Sequence, residues 1–325
     1  MSRNEMLKVI SRLQKQTEII DFKMPIKQTG DIKKYLKFYG LPSEEKKYHF
    51  GNVYVDSYLI KVQMFEPQNS REENVVLLLH GYLDHVGILS DTIHFLTKAG
   101  YKVVTFDWPG HGLSSGETAE INDFGEYERV YELVVNEISK QLNTIPNIVA
   151  HSTGAAVVIS DLLKSTQTEY KSIILIAPLI RSNLWTITKV GYYFMKPLVK
   201  RVKRVVRQSS ADQHFIDFLK KDPFQPSLVP LKWLKALIDW NDQVHSLNEK
   251  GQRVLVLQGV EDGTVDWRYN CQFIARLFYN SQIILYDEGK HHLLNEIDGI
   301  RLNVYEKIVR ELNKQLYENY KINNE

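Results

Sequence analysis

The sequence is nearly devoid of cysteine, with Cys271 the only one in 325 residues. A single cysteine closes no internal disulfide and builds no cysteine zinc cluster, so disulfide-framework and zinc-ribbon classes are excluded. A reducing, cytoplasmic setting is the expectation. Charge of one sign is not in excess either. Lys and Arg number 41 against 39 Asp and Glu, a formal net charge of +2, which argues against a dedicated nucleic-acid binder. No apolar run approaches the ~18 residues of a membrane span. The longest, such as 172–180, are of strand length. The first fifteen residues are polar and lack the apolar core of a signal peptide. No segment recurs at a period of 20–50 residues, which excludes a solenoid.

What is present is a globular pattern. Residues 1–48 are rich in Lys, Glu and Ile and carry no chemical motif. Met6, Ile10 and Leu13 fall at helical spacing, so a short helix is expected, in a surface extension packed on the main domain, with a partner-binding arm as the alternative. From 49 onward, Val53, Val55, Tyr58, Ile60 and Val62 nearly alternate with polar residues, which predicts a hairpin. Short apolar runs follow at 75–79, 102–106, 147–150, 172–177, 253–257 and 282–286, separated by helix-like stretches such as 124–143 and 153–164. Continuous apolar strands alternating with helices predict an α/β fold with a mostly parallel central sheet covered on both faces. The roughly seventy residues between the runs at 172 and 253 exceed any ordinary loop. They are read as a helical cap over 182–240, inserted into a core of 49–181 and 241–325. An insertion there lies at the carboxyl ends of the strands, where open α/β sheets bind ligands.

Five strand ends carry chemically apt residues. At 150–156, Ser152 follows a strand and opens a helix, with Ala150 and Gly154 two positions to either side. A serine on so sharp a turn needs small neighbours there, and the turn aims its hydroxyl outward. The N–H of Thr153 then faces a developing oxyanion. At 80–85, His80-Gly81 allows a tight turn that leaves the N–H of Tyr82 as a second oxyanion donor. His80 and His85 are assigned structural roles rather than metal ligation. The loop 107–116, with Asp107, Gly110, His111, Gly112 and Ser114, suits a side-chain-bonded architectural turn. At 259–265, Asp262 is the candidate acid to orient a histidine, with Glu261 and Asp266 nearby. At 288–296, His291 is the candidate general base and His292 its alternate. The chain order Ser152, Asp262, His291, each after a strand, is that of α/β-hydrolases.

These residues resemble the monoacylglycerol lipase and lysophospholipase branch of the serine α/β-hydrolases. The resemblance rests on His80-Gly81 with Asp84-His85, on Asp107, Gly110, His111, Gly112, Ser114 and Gly116, on the turn around Ser152, on Asp262, and on His291, Leu293, Asn295 and Glu296. It covers about 50–315. It implies the α/β-hydrolase fold with a helical cap, a nucleophile at Ser152, an acid at Asp262, a base at His291, oxyanion donors at Tyr82 and Thr153, and an acyl ester substrate. Ala150 and Ala155 stand where glycine is usual in that branch, and Leu83 replaces a common glycine. No metal or organic cofactor is called for.

The cap has a charge of its own. Residues 181–210 hold eight Lys and Arg and no Asp or Glu, so the rest of the chain sums to −6. Met195, Leu198, Val199, Val202, Val205 and Val206 form a stripe with Lys196, Lys200, Arg201, Lys203, Arg204 and Arg207 turned away. This predicts a basic amphipathic helix suited either to plain solvation or to peripheral contact with an anionic membrane surface. Leu184, Trp185, Tyr192, Tyr193 and Phe194 are candidates for an acyl tunnel or for cap core. The expected function is hydrolysis of single-chain lipid esters by a Ser-His-Asp acyl-enzyme route. The rivals are a short-chain carboxylesterase, an amidase or peptidase with the same triad, and a non-catalytic scaffold with a hydrolase fold.

Overall fold

The computed structural model describes residues 2–42, 47–67, 74–164, 170–205 and 207–322, with side chains described as far as 314. The chain opens with two helices, α1 (Arg3–Gln14) and α2 (Gly30–Tyr39). Ser2 and Glu5 cap α1 reciprocally, each side chain bonding the other's backbone N–H at 3.3 and 2.8 Å. Thr29 caps α2, and Gly40 ends it in the left-handed region. The hairpin follows as β1 (Lys47–Val55) and β2 (Tyr58–Glu66), paired antiparallel from Val55 opposite Tyr58 to Lys47 opposite Glu66.

Then strands and helices alternate: β3 (Val75–Leu79), α3 (Ser90–Lys98), β4 (Lys102–Phe106), α4 (Gly125–Leu142), β5 (Asn147–His151), α5 (Thr153–Lys164) and β6 (Ile173–Ile176). The insertion holds α6 (Trp185–Met195), β7 (Arg201–Lys203), α7 (Gln213–Lys221), β8 (Leu228–Pro230) and α8 (Leu231–Val244). The chain closes with β9 (Leu255–Gly259), α9 (Trp267–Leu277), β10 (Gln282–Tyr286) and α10 (Asp298–Ile322). The main sheet has eight strands in the order β1-β2-β4-β3-β5-β6-β9-β10, parallel from β4 through β10 and antiparallel at β1 and β2.

Burial on both faces explains why the inner strands lack polar alternation. Along β3, Val75, Leu77 and Leu79 pack into one cluster with α4 and α5, while Val76 and Leu78 pack into the other with α3 and α10. Successive side chains point to opposite faces, so a strand covered twice must be apolar throughout.

The N-terminal residues enter this second cluster. Met6, Leu13, Tyr35 and Leu36 are fully buried there beside Val76 and Val103. The linking segment runs against β1, with Ile20 N–H donating to Asn52 O at 3.0 Å. Gly51 permits that approach, since a Cβ there would sit 2.6 Å from the Ile20 backbone. The segment is thus part of the packed core rather than a loose surface arm.

The insertion departs from the expected all-helical cap. The amphipathic helix predicted around 195–207 does not form. Instead α6 ends at Met195, one residue short of the Lys196-Pro197 step, and Arg201–Lys203 pairs with Leu228–Pro230 as a short antiparallel ladder. Proline supplies no N–H, and the valines at 199, 202 and 205 favour extended backbone. Val206 lies outside the described residues. No helix of the described residues is long and apolar enough to cross a membrane.

Leu36→Ala should lower stability by about 2–5 kcal/mol, the range for truncating a buried leucine. Urea unfolding of the full chain checks this. A loss under about 0.5 kcal/mol, as at an exposed site, would return the N-terminal residues to the status of an accessory arm.

Candidate active site

The site is assembled from five strand ends. β5 runs into Ser152, which has a φ of 52°, in the left-handed region where a side chain is strained. The turn is sterically crowded. A Cβ on Gly154 would lie 2.8 Å from the His80 carbonyl oxygen and 2.9 Å from Leu79 Cβ. Ala150 and Ala155 are fully buried, small enough for the turn to close without the usual glycines. Thr153 opens α5, so its N–H has no acceptor within the helix.

His291 stands between the other two predicted partners. Its Nδ1 is 2.8 Å from Asp262 Oδ2, and its Nε2 is 3.0 Å from Ser152 Oγ. Asp262 is held by three further donors: Gln258 Nε2 at 3.1 Å, Thr264 N–H at 2.8 Å and Val265 N–H at 3.1 Å. The other two carboxylates near that turn lie elsewhere. Asp266 caps α9 through Tyr269 N–H, and Glu261 pairs with Lys290 at 2.9 Å.

The adjacent histidines have different surroundings. Burial alone pushes His291 down, but the charge and hydrogen bond of Asp262, with a smaller pull from Asp84, outweigh it and raise its pKa above 6.5. Asp262 moves the opposite way: burial opposes its charge, and His291 and the backbone donors hold it below the usual carboxylate range. His292 is pushed down to about 3, first by burial and then by the histidines and Arg204 around it. Its Nε2 lies 3.8 Å from Asp84 Oδ1. The His-x-Leu-x-Asn-Glu tail braces the loop. Asn295 donates to Ile88 O at 2.9 Å, and Glu296 accepts from Lys290 N–H and Ala211 N–H.

The oxyanion-side loop comes equally close. A Cβ on Gly81 would lie 3.0 Å from Ser152 Cβ and 3.1 Å from His151 Nδ1. Tyr82 follows, its ring stacked on Trp233 at 3.5 Å and its hydroxyl donating to Ala119 O. Leu83 takes a φ of 65° where the resembling branch has glycine, and its carbonyl accepts from Gln225 Nε2 at 3.1 Å. His80 and His85 are buried hydrogen-bonding groups. His80 bonds to Trp108 N–H, and His85 pairs with Asp222 at 2.8 Å. Asp107 accepts from Val86 N–H and Leu113 N–H, which ties its loop together.

Ser152, Thr153, Tyr82, His291 and His292 line one cavity of about 340 Å³ under the insertion. Its apolar wall comes from Val202, Val229, Trp233, Leu234 and Leu237, chiefly on α8. None of the five tunnel candidates lies on that wall. Trp185 and Tyr192 are buried in the cap, whereas Leu184, Tyr193 and Phe194 face solvent. The α8 residues read in the sequence as an ordinary amphipathic helix, so nothing local marked them as pocket lining.

Sequence reading also missed a buried trio. Asp84, His151 and His292 bring ligand-type atoms within 4.8 Å of one another, the one set of metal-ligand spacing among the described residues. Asp84 Oδ2 lies 3.4 Å from His151 Nδ1, and His151 Nε2 donates to the His291 carbonyl at 3.1 Å. The trio thereby links the oxyanion loop, the elbow and the base loop. The three residues sit in three separate segments, which spacing along the chain cannot reveal.

Comparison with known proteins agrees with this architecture. The model of the Hydrolase_4 family, described as "Serine aminopeptidase, S33", matches residues 70–298. The "Monoglyceride lipase homolog" of Monkeypox virus is 27% identical over 252 residues, 72% of this chain and 87% of that protein. Two solved structures share the fold. A soluble variant of the Saccharomyces cerevisiae monoglyceride lipase superposes with a TM-score of 0.71 at 18% identity, covering 85% of this chain and 97% of that one. The monoacylglycerol lipase of Paleococcus ferrophilus superposes at 0.68 with 19% identity, covering 79% and 99%. With the matched model spanning most of the chain, from the first parallel strand to the start of the last helix, the protein belongs to the Hydrolase_4 family and is a monoacylglycerol lipase-like serine ester hydrolase of α/β-hydrolase fold.

Proposed function

We propose that the chain hydrolyses carboxylic esters of single-chain lipids, monoacylglycerols or lysophospholipids, through an acyl-enzyme. The observation that carries this reading is the unbroken hydrogen-bonded run Asp262–His291–Ser152 at the floor of an apolar-walled cavity. Ser152 Oγ attacks the ester carbonyl while His291 Nε2 takes its proton and then passes it to the leaving alcohol. Asp262 fixes the tautomer and stabilises the imidazolium. The N–H groups of Tyr82 and Thr153 receive the oxyanion. Water then deacylates the serine by the same route. An exopeptidase reading fits less well. Such a site needs a carboxylate to hold the substrate's ammonium, and the cationic groups on this cavity's wall are Lys203, Arg204 and Arg207. The wall's carboxylate, Asp84, is already engaged by two histidines.

The same reading gives the cap a peripheral membrane contact. Phe194 is 75% exposed and Leu198 79% exposed. Large apolar side chains flanked by exposed Lys196 and Lys200 fit an anionic lipid surface, each cation there contributing about 1 kcal/mol.

Ser152→Ala should lower kcat by roughly 10⁴-fold or more on monoacylglycerol and lysophospholipid, in an ester panel of graded acyl length. Activity confined to the shortest esters would remove the lipid substrate, and activity that survives in the variant would remove the nucleophile.

The base must be neutral to accept the serine proton. Because the pKa of His291 is raised, kcat/KM should fall as pH drops through a midpoint above 6.5. Asp262→Asn should move that midpoint down and lower kcat by about 10⁴-fold. A wild-type midpoint below 6.5 would contradict the assignment.

Phe194→Ser with Leu198→Ser should reduce co-sedimentation with phosphatidylserine vesicles at least severalfold, and Lys196→Glu with Lys200→Glu should remove its salt sensitivity. Binding unchanged in both pairs would exclude this face.

A further inference from the structure

The six cations of residues 196–207 divide into three groups. Lys196 and Lys200 are on the outside. Arg201 is neutralised by Glu120 at 3.2 Å and Glu117 at 3.7 Å. Lys203, Arg204 and Arg207 lie on the wall of the cavity that holds Ser152 and His291. Among the described residues, no carboxylate lies within ion-pair distance of these last three.

Arg204 is the informative member. It is half-buried, and a desolvated cation is costly without an anionic partner. Its guanidinium bonds the neutral amide oxygen of Gln225, and its own N–H is fixed to Ser227 O at 2.9 Å. Gln225 is anchored in turn by Leu83 O at 3.1 Å and by Asp222 Oδ2 at 3.3 Å. The arginine is thus held in place by a relay reaching the loop that carries Tyr82, with no carboxylate in ion-pair contact; Asp84 and Asp222 act on it only at longer range. Arg207 bonds the Gly263 carbonyl beside the acid turn, another neutral acceptor. Neutral hydroxyls of Ser209 and Thr264 share the same wall. Asp84 is the opposing charge on this wall, but its two oxygens face His151 and His292.

Resting on the single-chain ester reading above, we propose that this wall is a headgroup site for an anion, and that the preferred substrate is a lysolipid bearing a phosphate on its alcohol portion. The acyl carbonyl lies at Ser152, and the phosphate is received by Arg204 with Lys203 and Arg207. A guanidinium matches phosphate oxygens in geometry as well as charge. A neutral monoacylglycerol would leave Arg204 without a direct ionic partner.

The test uses the full chain and two esters of the same acyl group, 1-octanoyl-lysophosphatidate and 1-octanoylglycerol. Both are kept below their aggregation concentrations, so that attraction to a charged interface does not enter. The wild type should favour the phosphate ester at least tenfold in kcat/KM. Arg204→Gln should reduce that preference tenfold or more, equivalent to about 1.4 kcal/mol. Arg204→Lys should retain most of it. Lys203→Gln, at an exposed position, should reduce it severalfold and keeps the test decisive should Arg204→Gln fail to fold. A wild type indifferent to the phosphate, or a preference unchanged in both the Lys203 and Arg204 variants, overturns the headgroup site while hydrolysis of octanoylglycerol leaves the esterase standing. Cleavage of neither ester, or equal cleavage by Ser152→Ala, overturns the esterase reading and the headgroup site with it.

Discussion

The site depends on how closely two turns approach one another. A Cβ added to Gly81 would lie 3.0 Å from Ser152 Cβ, and one on Gly154 would lie 2.8 Å from the His80 carbonyl oxygen. That closeness brings the His80-Gly81 turn against the turn that carries Ser152. Two N–H groups can converge on an oxygen only if their turns nearly touch. The strain at Ser152 and Leu83, both at positive φ, is the local consequence. It is sustained by the rigid ends of β3 and β5, which are neighbours in the sheet. A looser sheet would let these two residues relax, and the donors would separate.

Burial pushes the two adjacent histidines the same way, and partner geometry makes their net shifts opposite. Both rings are desolvated, which by itself favours the neutral form. His291 has a carboxylate at 2.8 Å, aligned with its Nδ1, and its pKa rises. His292 has one at 3.8 Å, too distant to offset burial, two neighbouring histidines and Arg204, and its pKa falls to about 3. A neutral His292 adds no positive charge beside the base. Cys271, likewise buried, is pushed up to about 11, so this thiol stays protonated and serves in packing.

The parts of this structure that are legible in the sequence are those where local chemistry and local geometry coincide. The strands at 75–79, 102–106 and 282–286 begin and end where the apolar runs do; for the first two, burial on both faces leaves no alternative composition. Ser152, Asp262 and His291 were readable because each sits on a turn that directly follows such a run. The cap was less legible. A helical spacing of valines and lysines around 195–207 is also compatible with an extended segment, and Pro197 with a partner strand at 228–230 decided the matter. The wall residues Trp233, Leu234 and Leu237, and the trio Asp84, His151 and His292, depend on contacts between distant segments that no window of sequence contains. How deeply the N-terminal residues pack depends on distant segments in the same way. Tyr35 and Leu36 are buried by strands that come later in the chain.

The cap separates its cations between the outer surface and the cavity wall within about thirty residues by alternating exposure rather than by helical faces. In a regular amphipathic helix all the cations would share one side, and a basic surface would tell nothing about the cavity. Breaking the helix at Pro197 turns the chain, so that Phe194, Lys196 and Leu198 stay outside while Val202 and Arg204 turn inward. The ladder of β7 with β8 then fixes that inward turn, since Arg204 N–H continues the pairing to Ser227. Outer cations are screened by salt and contribute chiefly to encounter. An inner cation acts at short range and low dielectric, where one charge discriminates strongly between headgroups. Cations close together in sequence therefore have different surroundings, and only the folded backbone assigns each residue to its side.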